Sequence, residues 1–332
     1  MGFRVLKFGG SSVADATAMS RVLDIVGGEL AKGRVVLVSS AIAGCTDGLL
    51  AAAAGDASGI PALRERHKAI VRRLFTGDER ADAAAEVTRL FASMEAAPAE
   101  EKVTFGELLS TRILAGKLSC EGVKVLWVDS RQLVVKDDLP ETYRRIGAAV
   151  AATDADIVVA PGFICGDAAG KVCTLGRGGS DYSAALYAAA LGAESLQIWT
   201  DVPGIMTANP KQVPAARTIR GMSYRAALEM AEHGAKVLYA PTVAPAMEAG
   251  IDIEIRNTFA PAGRFTRISA QPDLSPWVGV ASQGGEICLV GTSEADFDTI
   301  IDTFLARLII KLIGIKVKGF PPLVCLKNTF DP

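Results

Sequence analysis

The chain has 332 residues, which exceeds the usual size of a single hydrophobic core and favours one large domain with a smaller appendage. Half of the residues are hydrophobic and 22% are charged, so wholesale disorder is excluded. The formal net charge of −2 gives no electrostatic reason to expect a nucleic-acid partner.

The cysteines and the apolar segments bear on the cellular compartment of the protein. Six cysteines occur without a C-x-x-C pair and with only two histidines, so we expect no structural zinc site. Reduced thiols are the simpler interpretation, and they favour a cytoplasmic protein. The first residues lack the apolar core of a signal peptide. The most apolar late stretch, residues 305–315, is interrupted by charges and too short for a bilayer, so no membrane contact is expected.

The N-terminal third predicts a βαβ unit. Residues 3–8 form a predicted strand that runs into Gly9-Gly10-Ser11-Ser12, and apolar residues then recur at helical spacing between residues 19 and 30. Residues 35–38 are a continuous apolar run, typical of a strand buried on both faces. Strand, turn, helix and strand within about 35 residues predict a parallel sheet.

The same alternation continues along the chain. Further strands are predicted at residues 123–128, 157–160, 196–200 and 251–255. Alanine-rich helices are predicted at residues 181–191 and 223–233. Residues 56–101 are charged, alanine-rich and helical in character, and we expect a helical excursion over the ligand side of the sheet.

A change in composition marks a boundary near residue 270. Proline, glycine, serine and glutamine cluster in residues 261–276, so we predict domains at 1–270 and 271–332. The second segment predicts a strand at 287–290, an amphipathic helix at 297–308, and strands within 309–317 and 323–326. This β-α-β-β pattern is a small module or a part of one.

Two common nucleotide-binding signatures are missing. No G-x-x-x-x-G-K-[ST] motif occurs, and the run from Gly176 to Asp181 fails G-x-G-x-x-G because Asp181 stands where the last glycine belongs. A P-loop ATPase and a standard Rossmann dehydrogenase are therefore disfavoured.

The first of two other glycine turns follows the first predicted strand. Its glycines let the backbone approach phosphate oxygens, and successive N–H groups at a helix start form an anion site. Lys7, just before the turn, supplies a positive charge for a phosphate. A plain tight turn with a surface lysine explains the motif equally well.

The second glycine turn precedes the helix predicted at 181–191. Arg177 lies among glycines with room to bind a carboxylate through two parallel hydrogen bonds. Ser180 and Asp181 stand at the helix start, where simple capping is the alternative. A cap needs no arginine between glycines, so we favour ligand binding.

Three further features are ambiguous alone. Thr200 and Asp201 follow a predicted strand, where ligands bind in parallel sheets, although a simple turn also fits. Glu107, in Phe-Gly-Glu, stands at a predicted helix start and fits the helix dipole. Lys236 is by default a solvated surface lysine.

In combination, the segments resemble the aspartokinases, a branch of the amino acid kinase family. The matching segments are KFGGSSV (7–13), FGE (105–107), GRGGSDYS (176–183), WTDVPGI (199–205), GAKVL (234–238) and IRNTF (255–259). They occur in the family's order and cover about residues 1–270. The ordered set is far more specific than any one segment.

The resemblance implies a three-layer αβα sandwich with a mainly parallel sheet and a partial ACT-like α+β module at the C-terminus. It implies ATP with Mg²⁺ as phosphoryl donor, aspartate as substrate and 4-phospho-L-aspartate as product. That reaction is the first step towards lysine, threonine and methionine. We expect no protein cluster for the metal, because phosphates and water would hold most of it.

The resemblance also assigns roles to residues. Lys7 would contact the transferring phosphoryl group, Arg177 would hold the substrate α-carboxylate, and Glu107 would accept from its amino group. The catalytic set is Lys7, Arg177 and Asp181. The other substrate-side positions are Ser40, Thr46 and Ser180. The remaining ATP-side positions are Gly9, Gly10, Ser11, Thr200, Asp201, Met206, Lys211 and Lys236.

Two departures from the family pattern stand out. Met206 occupies a position where related enzymes often carry tyrosine near the nucleotide. Aspartokinases commonly end in paired ACT modules, whereas this tail offers one partial unit, which fits a truncated form, a short form or part of a bifunctional polypeptide. The sequence therefore gives no basis for feedback inhibition by lysine or threonine. An unpaired half-module exposes apolar surface, so we expect a homodimer.

Other functions stay open at this stage. A kinase of the same fold acting on glutamate, N-acetylglutamate, carbamate or UMP is the nearest alternative. A non-catalytic regulator that binds an amino acid is the other, although the retention of Lys7, Arg177 and Asp201 argues against it.

Overall fold

The computed structural model describes residues 2–211, 213–233, 238–271, 277–283, 286–291, 315–320 and 323–328. The strands are β1 Phe3–Phe8, β2 Arg34–Ser39, β3 Val125–Trp127, β4 Ile157–Pro161, β5 Ile164–Gly166, β6 Val172–Thr174, β7 Ser195–Thr200, β8 Gly221–Ser223, β9 Ile253–Asn257, β10 Thr266–Ser269, β11 Trp277–Gln283, β12 Glu286–Gly291, β13 Ile315–Phe320 and β14 Leu323–Asn328. The α-helices are α1 Ala16–Leu30, α2 Cys45–Ala53, α3 Ile60–Leu74, α4 Gly77–Ala96, α5 Ala99–Lys102, α6 Phe105–Cys120, α7 Ser130–Leu133, α8 Leu139–Ala151, α9 Gly179–Leu191, α10 Tyr224–Glu232 and α11 Ala240–Glu248.

A mainly parallel sheet forms the centre of the molecule. Its strand order is β3-β4-β2-β1-β7-β9-β10-β8, and within the described residues only the β9–β10 pair is antiparallel. In the register, Phe8 lies opposite Ser39 of β2 on one side and Trp199 of β7 on the other. The carboxyl ends of these three strands therefore meet at one edge of the sheet, where ligands bind in such folds.

Helices cover both faces of the sheet, as the apolar runs predict. Leu6 and Phe8 of β1 belong to a core shared with α1, α2, α3, α4 and α6. Val5 of the same strand belongs to a second core shared with α8, α9, α10 and α11. Alternate residues of a strand point to opposite faces, so a strand that is buried on both sides needs apolar residues at most of its positions. The predicted αβα sandwich is confirmed.

Several predicted elements are confirmed and some are shifted. The helical excursion predicted at 56–101 corresponds mainly to α3 and α4. The strand predicted at 123–128 has only three residues in β3, and the strand predicted at 251–255 begins two residues later, at Ile253. The β5–β6 hairpin and the short strands β8 and β10 were not predicted, because segments of three or four residues carry almost no periodicity.

The C-terminal segment forms a second sheet. Its antiparallel strand order is β11-β12-β14-β13. The strands predicted at 287–290 and 323–326 lie within β12 and β14, whereas the 309–317 candidate overlaps β13 only from Ile315 onward. The helix predicted at 297–308 falls outside the described residues. Among the helices that the structure describes, none is long and apolar enough to cross a membrane.

Candidate functional site

A cavity of about 490 Å³ lies at the carboxyl ends of β1 and β2. Eight of the residues that line it were predicted from the sequence: Lys7, Gly10, Ser40, Thr46, Glu107, Arg177, Ser180 and Asp181. The others are Ala41, Ile42, Ala43, Gly44, Phe163, Gly176, Gly178 and Gly179. The sequence segments that carry these residues are far apart, and the sheet topology brings them together.

Lys7 is a buried cation at the end of the central strand. It alternates with Leu6 and Phe8, so its side chain faces the layer that contains α9, and the residue is only 8% exposed. Its Nζ lies 2.5 Å from Oδ1 of Asp181 in the first turn of α9. The ion pair offsets the cost of removing the ammonium from water and holds it at the cavity.

The first glycine turn packs against the loop that follows β2. A Cβ on Gly10 would lie 2.9 Å from the carbonyl oxygen of Ala41, so no side chain fits there without movement of the backbone. The N–H of Ala43 donates to the carbonyl of Gly10 at 3.1 Å. The turn continues into a 3-10 helix, Gly10–Val13, rather than directly into α1. Glycine is therefore required for close contact with the loop as well as for the turn.

Ser12 and Arg66 position this region, and the sequence did not single them out. The hydroxyl of Ser12 is buried and lies 2.7 Å from the hydroxyl of Thr258, which follows β9. The Arg66 guanidinium donates to the carbonyl oxygens of Ala43 at 2.6 Å and Ala14 at 3.0 Å. These contacts join residues that are distant in sequence, so no local sequence pattern predicts them.

Glu107 is a buried carboxyl group beside the cavity. Its Oε1 accepts from the N–H of Ala41 at 3.2 Å, whereas Oε2 has no hydrogen-bond partner among the described residues. Burial raises the pKa of Glu107 to about 8. Gly106 makes this position possible, because a Cβ there would lie 2.7 Å from the Cβ of Ala41. The carboxyl group is therefore poised to take up a cationic ligand group.

The second glycine turn adopts backbone conformations that disfavour side chains. Gly176 and Gly178 have φ angles of 75° and 70°. A Cβ on Gly178 would lie 2.2 Å from Cγ of Tyr239, whereas the space beside Gly176 is open. Arg177 between them is exposed, and no described residue accepts a hydrogen bond from its guanidinium. The side chain is free to bind an anionic group in the cavity.

Ser180 lies at the start of α9, which begins at Gly179. Ser180 is only 8% exposed, and a Cβ on Gly162 would lie 2.8 Å from the Cβ of Ser180, so the residue that follows β4 is in close contact with the start of α9. The first N–H groups of a helix favour anions. The start of α9 therefore adds to the positive potential that Lys7 and Arg177 create.

Lys7 and Gly10 line the cavity, whereas the other described residues predicted on the nucleotide side do not. The N–H of Gly9 donates to the carbonyl of Trp199 at 3.2 Å, which places Gly9 beside the end of β7, next to Thr200 and Asp201. Met206 pairs with Thr218 in an isolated bridge. The structure thus separates Gly9, Ser11, Thr200, Asp201, Met206 and Lys211 from the cavity lining, and Lys236 falls outside the described residues.

The acidic, histidine and cysteine side chains of the described residues bear on metal binding. Within the described part of the chain, no group of three or more histidine, cysteine, aspartate or glutamate side chains is placed to hold an ion. The acidic side chains of the cavity are Glu107 and Asp181, and Asp181 is paired with Lys7.

The sequence comparisons with known proteins all match amino acid kinases of one kind. The chain matches the sequence model described as the amino acid kinase family over residues 2–257. It is 37% identical over 297 residues to lysine-sensitive aspartokinase 3 of Escherichia coli, and the alignment covers 82% of this chain and 65% of that protein. It is 32% identical over 298 residues to the chloroplastic bifunctional aspartokinase/homoserine dehydrogenase 1 of Arabidopsis thaliana, covering 81% of this chain and 33% of that protein.

The fold comparison agrees with the sequence comparison. The structure matches aspartokinase III of Escherichia coli in complex with aspartate and ADP with a TM-score of 0.74 and 31% sequence identity. The match covers 99% of this chain and 79% of that one. The chain spans less than two thirds of the length of the two curated relatives, at 65% and 33%.

The second glycine turn offers a matched pair of substitutions. Alanine at either Gly176 or Gly178 must adopt a positive φ, which costs about 1–2 kcal/mol. Only Gly178→Ala also displaces Tyr239, so we expect it to lower the free energy of unfolding by about 1–3 kcal/mol more than Gly176→Ala does. Urea denaturation of both variants measures the difference. Equal losses in the two variants would contradict the packing described here.

Proposed function

This chain belongs to the amino acid kinase family, and we propose that it transfers the γ-phosphoryl group of ATP to the side-chain carboxylate of L-aspartate. The product would be 4-phospho-L-aspartate, from which lysine, threonine and methionine are built. The observation that carries the proposal is one cavity that contains the Lys7 ammonium, the Arg177 guanidinium and the buried Glu107 carboxyl group between two glycine turns. Several of its relatives are named aspartokinases.

The charges of the cavity complement a free amino acid. Arg177 has no partner among the described residues and would hold the α-carboxylate. Glu107 has one oxygen without a described partner and would accept from the α-ammonium group. Ser40, Thr46 and Ser180 would add polar contacts around the substrate. The side-chain carboxylate of aspartate is ionised at neutral pH, so the attack needs no general base.

Phosphoryl transfer requires positioning and charge neutralisation more than covalent chemistry. Lys7 would contact the transferring group, and the N–H groups of Gly10 and Ser11 would face phosphate oxygens. Gly9 would let the backbone approach the nucleotide closely, because its own N–H already donates to the carbonyl of Trp199. ATP would extend past the end of β7, along Thr200 and Asp201, towards Met206 and Lys211. The resemblance also assigns Lys236 to ATP binding, and that residue lies outside the described part of the chain. Catalysis here would therefore rest mainly on Lys7, Arg177 and Asp181.

A magnesium ion at this site would need most of its ligands from outside the protein. With no acidic cluster among the described residues, the ion would be held by ATP phosphates and water, with Asp181 as the nearby carboxylate. When bound, Mg²⁺ supplies positive charge that neutralises the phosphates.

We further propose that residues 1–270 form the catalytic domain and residues 271–332 a partial ACT-like module that joins two copies of the chain. The antiparallel sheet supports this, because β11 and β13 each pair on one side only within the described strands. Open edges of a sheet favour pairing with another chain.

Removing the charge of Lys7 should abolish turnover. Lys7→Met keeps a side chain of similar length, and we expect a loss of about 10²-fold or more in kcat, because the phosphoryl group loses its positive partner. Arg177→Ala should raise KM for aspartate as well as lower the rate. Lys124→Met, at an exposed lysine paired with Asp154, is the control and should behave as wild type.

Trapping the acyl phosphate with hydroxylamine measures these rates and identifies the substrate. Hydroxamate formation with aspartate and not with glutamate supports the assignment. A near-wild-type rate in Lys7→Met would overturn the role of Lys7. Hydroxamate formation with glutamate alone would show that glutamate, and not aspartate, is the substrate. The absence of an ATP-dependent product with any amino acid would indicate a binding protein.

Glu107 should make aspartate binding depend on pH. With a pKa of about 8 in the free protein, its carboxyl group is mostly protonated at pH 6–7 and must lose a proton before it can pair with an ammonium group. We therefore expect KM for aspartate to fall as pH rises towards 8, by roughly tenfold per pH unit well below the pKa.

Two variants test whether the pH dependence of KM comes from Glu107 rather than from another acidic residue of α6. Glu107→Gln should raise KM and remove its pH dependence between pH 6 and 8. Glu121→Gln, at the exposed C-terminal cap of α6, should retain the wild-type profile. A wild-type profile in Glu107→Gln would rule out the ammonium contact.

The proposed dimer is tested by the mass of the chain in solution. We expect light scattering at micromolar concentration to give twice the mass of one chain. A monomeric mass at that concentration would contradict the proposal that the C-terminal module joins two copies.

A further inference from the structure

Two cysteines face each other across the β5–β6 hairpin. Cys165 of β5 lies opposite Cys173 of β6 in the register, and their Sγ atoms are 3.2 Å apart. Both are free thiols. Cys165 is buried, whereas Cys173 is half-buried and more accessible from solvent. The sequence did not predict this hairpin, so the spacing of the two cysteines did not indicate that they face each other.

Both ends of the hairpin lead into the wall of the cavity. Phe163, immediately before β5, lines the cavity, and β6 is followed by Leu175 and then by the turn that carries Arg177. The N–H of Leu175 donates to the carbonyl of Phe163 at 2.8 Å, which closes the hairpin at its base. Cys173 is thus only four residues from Arg177.

The two strands of the hairpin are not equally anchored. On the side of β5, the N–H of Gly166 donates to the carbonyl of Val134 at 2.9 Å, and its carbonyl accepts from the N–H of Lys136 at 2.8 Å. Within the described residues, β6 pairs with β5 alone. A change in the spacing of the strands therefore moves β6, and with it the Arg177 turn.

We propose that Cys165 and Cys173 form a reversible disulfide that shifts the Arg177 turn and weakens substrate binding. The sulfur atoms must approach from 3.2 Å to about 2 Å for the bond to form. Because β5 is held on its other side, β6 makes most of that movement. The effect on substrate binding rests on the function proposed above, whereas the formation of the bond does not.

The oxidant is a small disulfide, such as oxidised glutathione. The Cys173 thiolate attacks one sulfur of the oxidant, forms a mixed disulfide and releases one thiolate. The Cys165 thiolate then attacks the Cys173 sulfur and releases the second. Two protein thiols are oxidised, one small disulfide is reduced to two thiols, and the two protons from the protein end on those thiols. Burial raises the pKa of the Cys165 thiol and lowers its thiolate fraction, so the more accessible Cys173 attacks the oxidant first, and Cys165 reacts only in the second, intramolecular step, where the Cys173 sulfur is already adjacent.

The experiment uses the full chain with three other cysteines replaced. Cys288 and Cys325 lie opposite each other in the register of β12 and β14, and Cys120 is exposed, so each is changed to serine to leave one facing pair. This protein is equilibrated in glutathione buffers from fully reducing to oxidising. Intact mass and peptide mapping then report the loss of two hydrogens and the linked peptides. Adding Cys173→Ser to the same background gives the matched control.

We expect a Cys165–Cys173 crosslink that forms with oxidised glutathione and disappears with dithiothreitol. KM for aspartate should rise several-fold in the oxidised form and recover on reduction, with no such change in the Cys173→Ser control. Absence of the crosslink under oxidising buffer would overturn the site, whether or not the chain phosphorylates aspartate. A crosslink that leaves KM unchanged in an active enzyme would overturn the coupling to Arg177. If no kinase activity is found, the crosslink alone still decides the site.

Discussion

A lysine ammonium held at the end of the central strand is the constraint on which the site depends. Lys7 belongs to the buried half of β1, where Val5, Leu6 and Phe8 pack into two apolar layers. Removing an ammonium from water costs several kcal/mol unless a partner compensates. Asp181 supplies that partner at 2.5 Å, so the start of α9 has to lie beside β1. The ion pair therefore fixes both the cation and the helix N-terminus at one cavity.

Close approach of backbone segments is the second constraint. Gly10, Gly106 and Gly162 each occupy a position where a Cβ would come within 3 Å of Ala41 or Ser180. These contacts bring the turn after β1, the loop after β2, α6 and α9 together around the cavity. Gly10, which the resemblance assigns to ATP binding, thus also serves packing, and the two roles are compatible, because both require bare backbone.

The parts of the fold that are predictable from sequence are those with strong local signals. The strand β2 contains a continuous apolar run at residues 35–38, β1 leads directly into a glycine turn, and α9 begins just after a second glycine-rich turn. The turn residues Lys7 and Arg177 stood out for the same local reason. α6 gave no clear periodicity, because it is buried around most of its circumference, including Ser110 and Thr111.

The residues that sequence reasoning missed act through contacts between distant segments. Arg66 ties α3 to the carbonyl oxygens of Ala43 and Ala14, and Ser12 meets Thr258 across more than two hundred residues. Such pairs depend on the strand order, which places β1 between β2 and β7. Periodicity reports which face of an element is buried, but not which other element covers it.

The two groups that lack full partners explain how such a site can favour a dipolar ligand. Glu107 is buried with one oxygen unsatisfied, and Arg177 contacts no described acceptor, so neither is fully stabilised within the described part of the chain. A ligand that carries an ammonium and a carboxylate group satisfies both at once. A ligand without an ammonium group leaves the buried Oε2 of Glu107 unpaired, which costs about 1–3 kcal/mol, whereas Arg177 is exposed and stays hydrated when no carboxylate is bound. The preference that such a site can show for a dipolar ligand therefore depends mainly on the buried carboxyl group of Glu107, and the exposed Arg177 adds charge complementarity for a carboxylate.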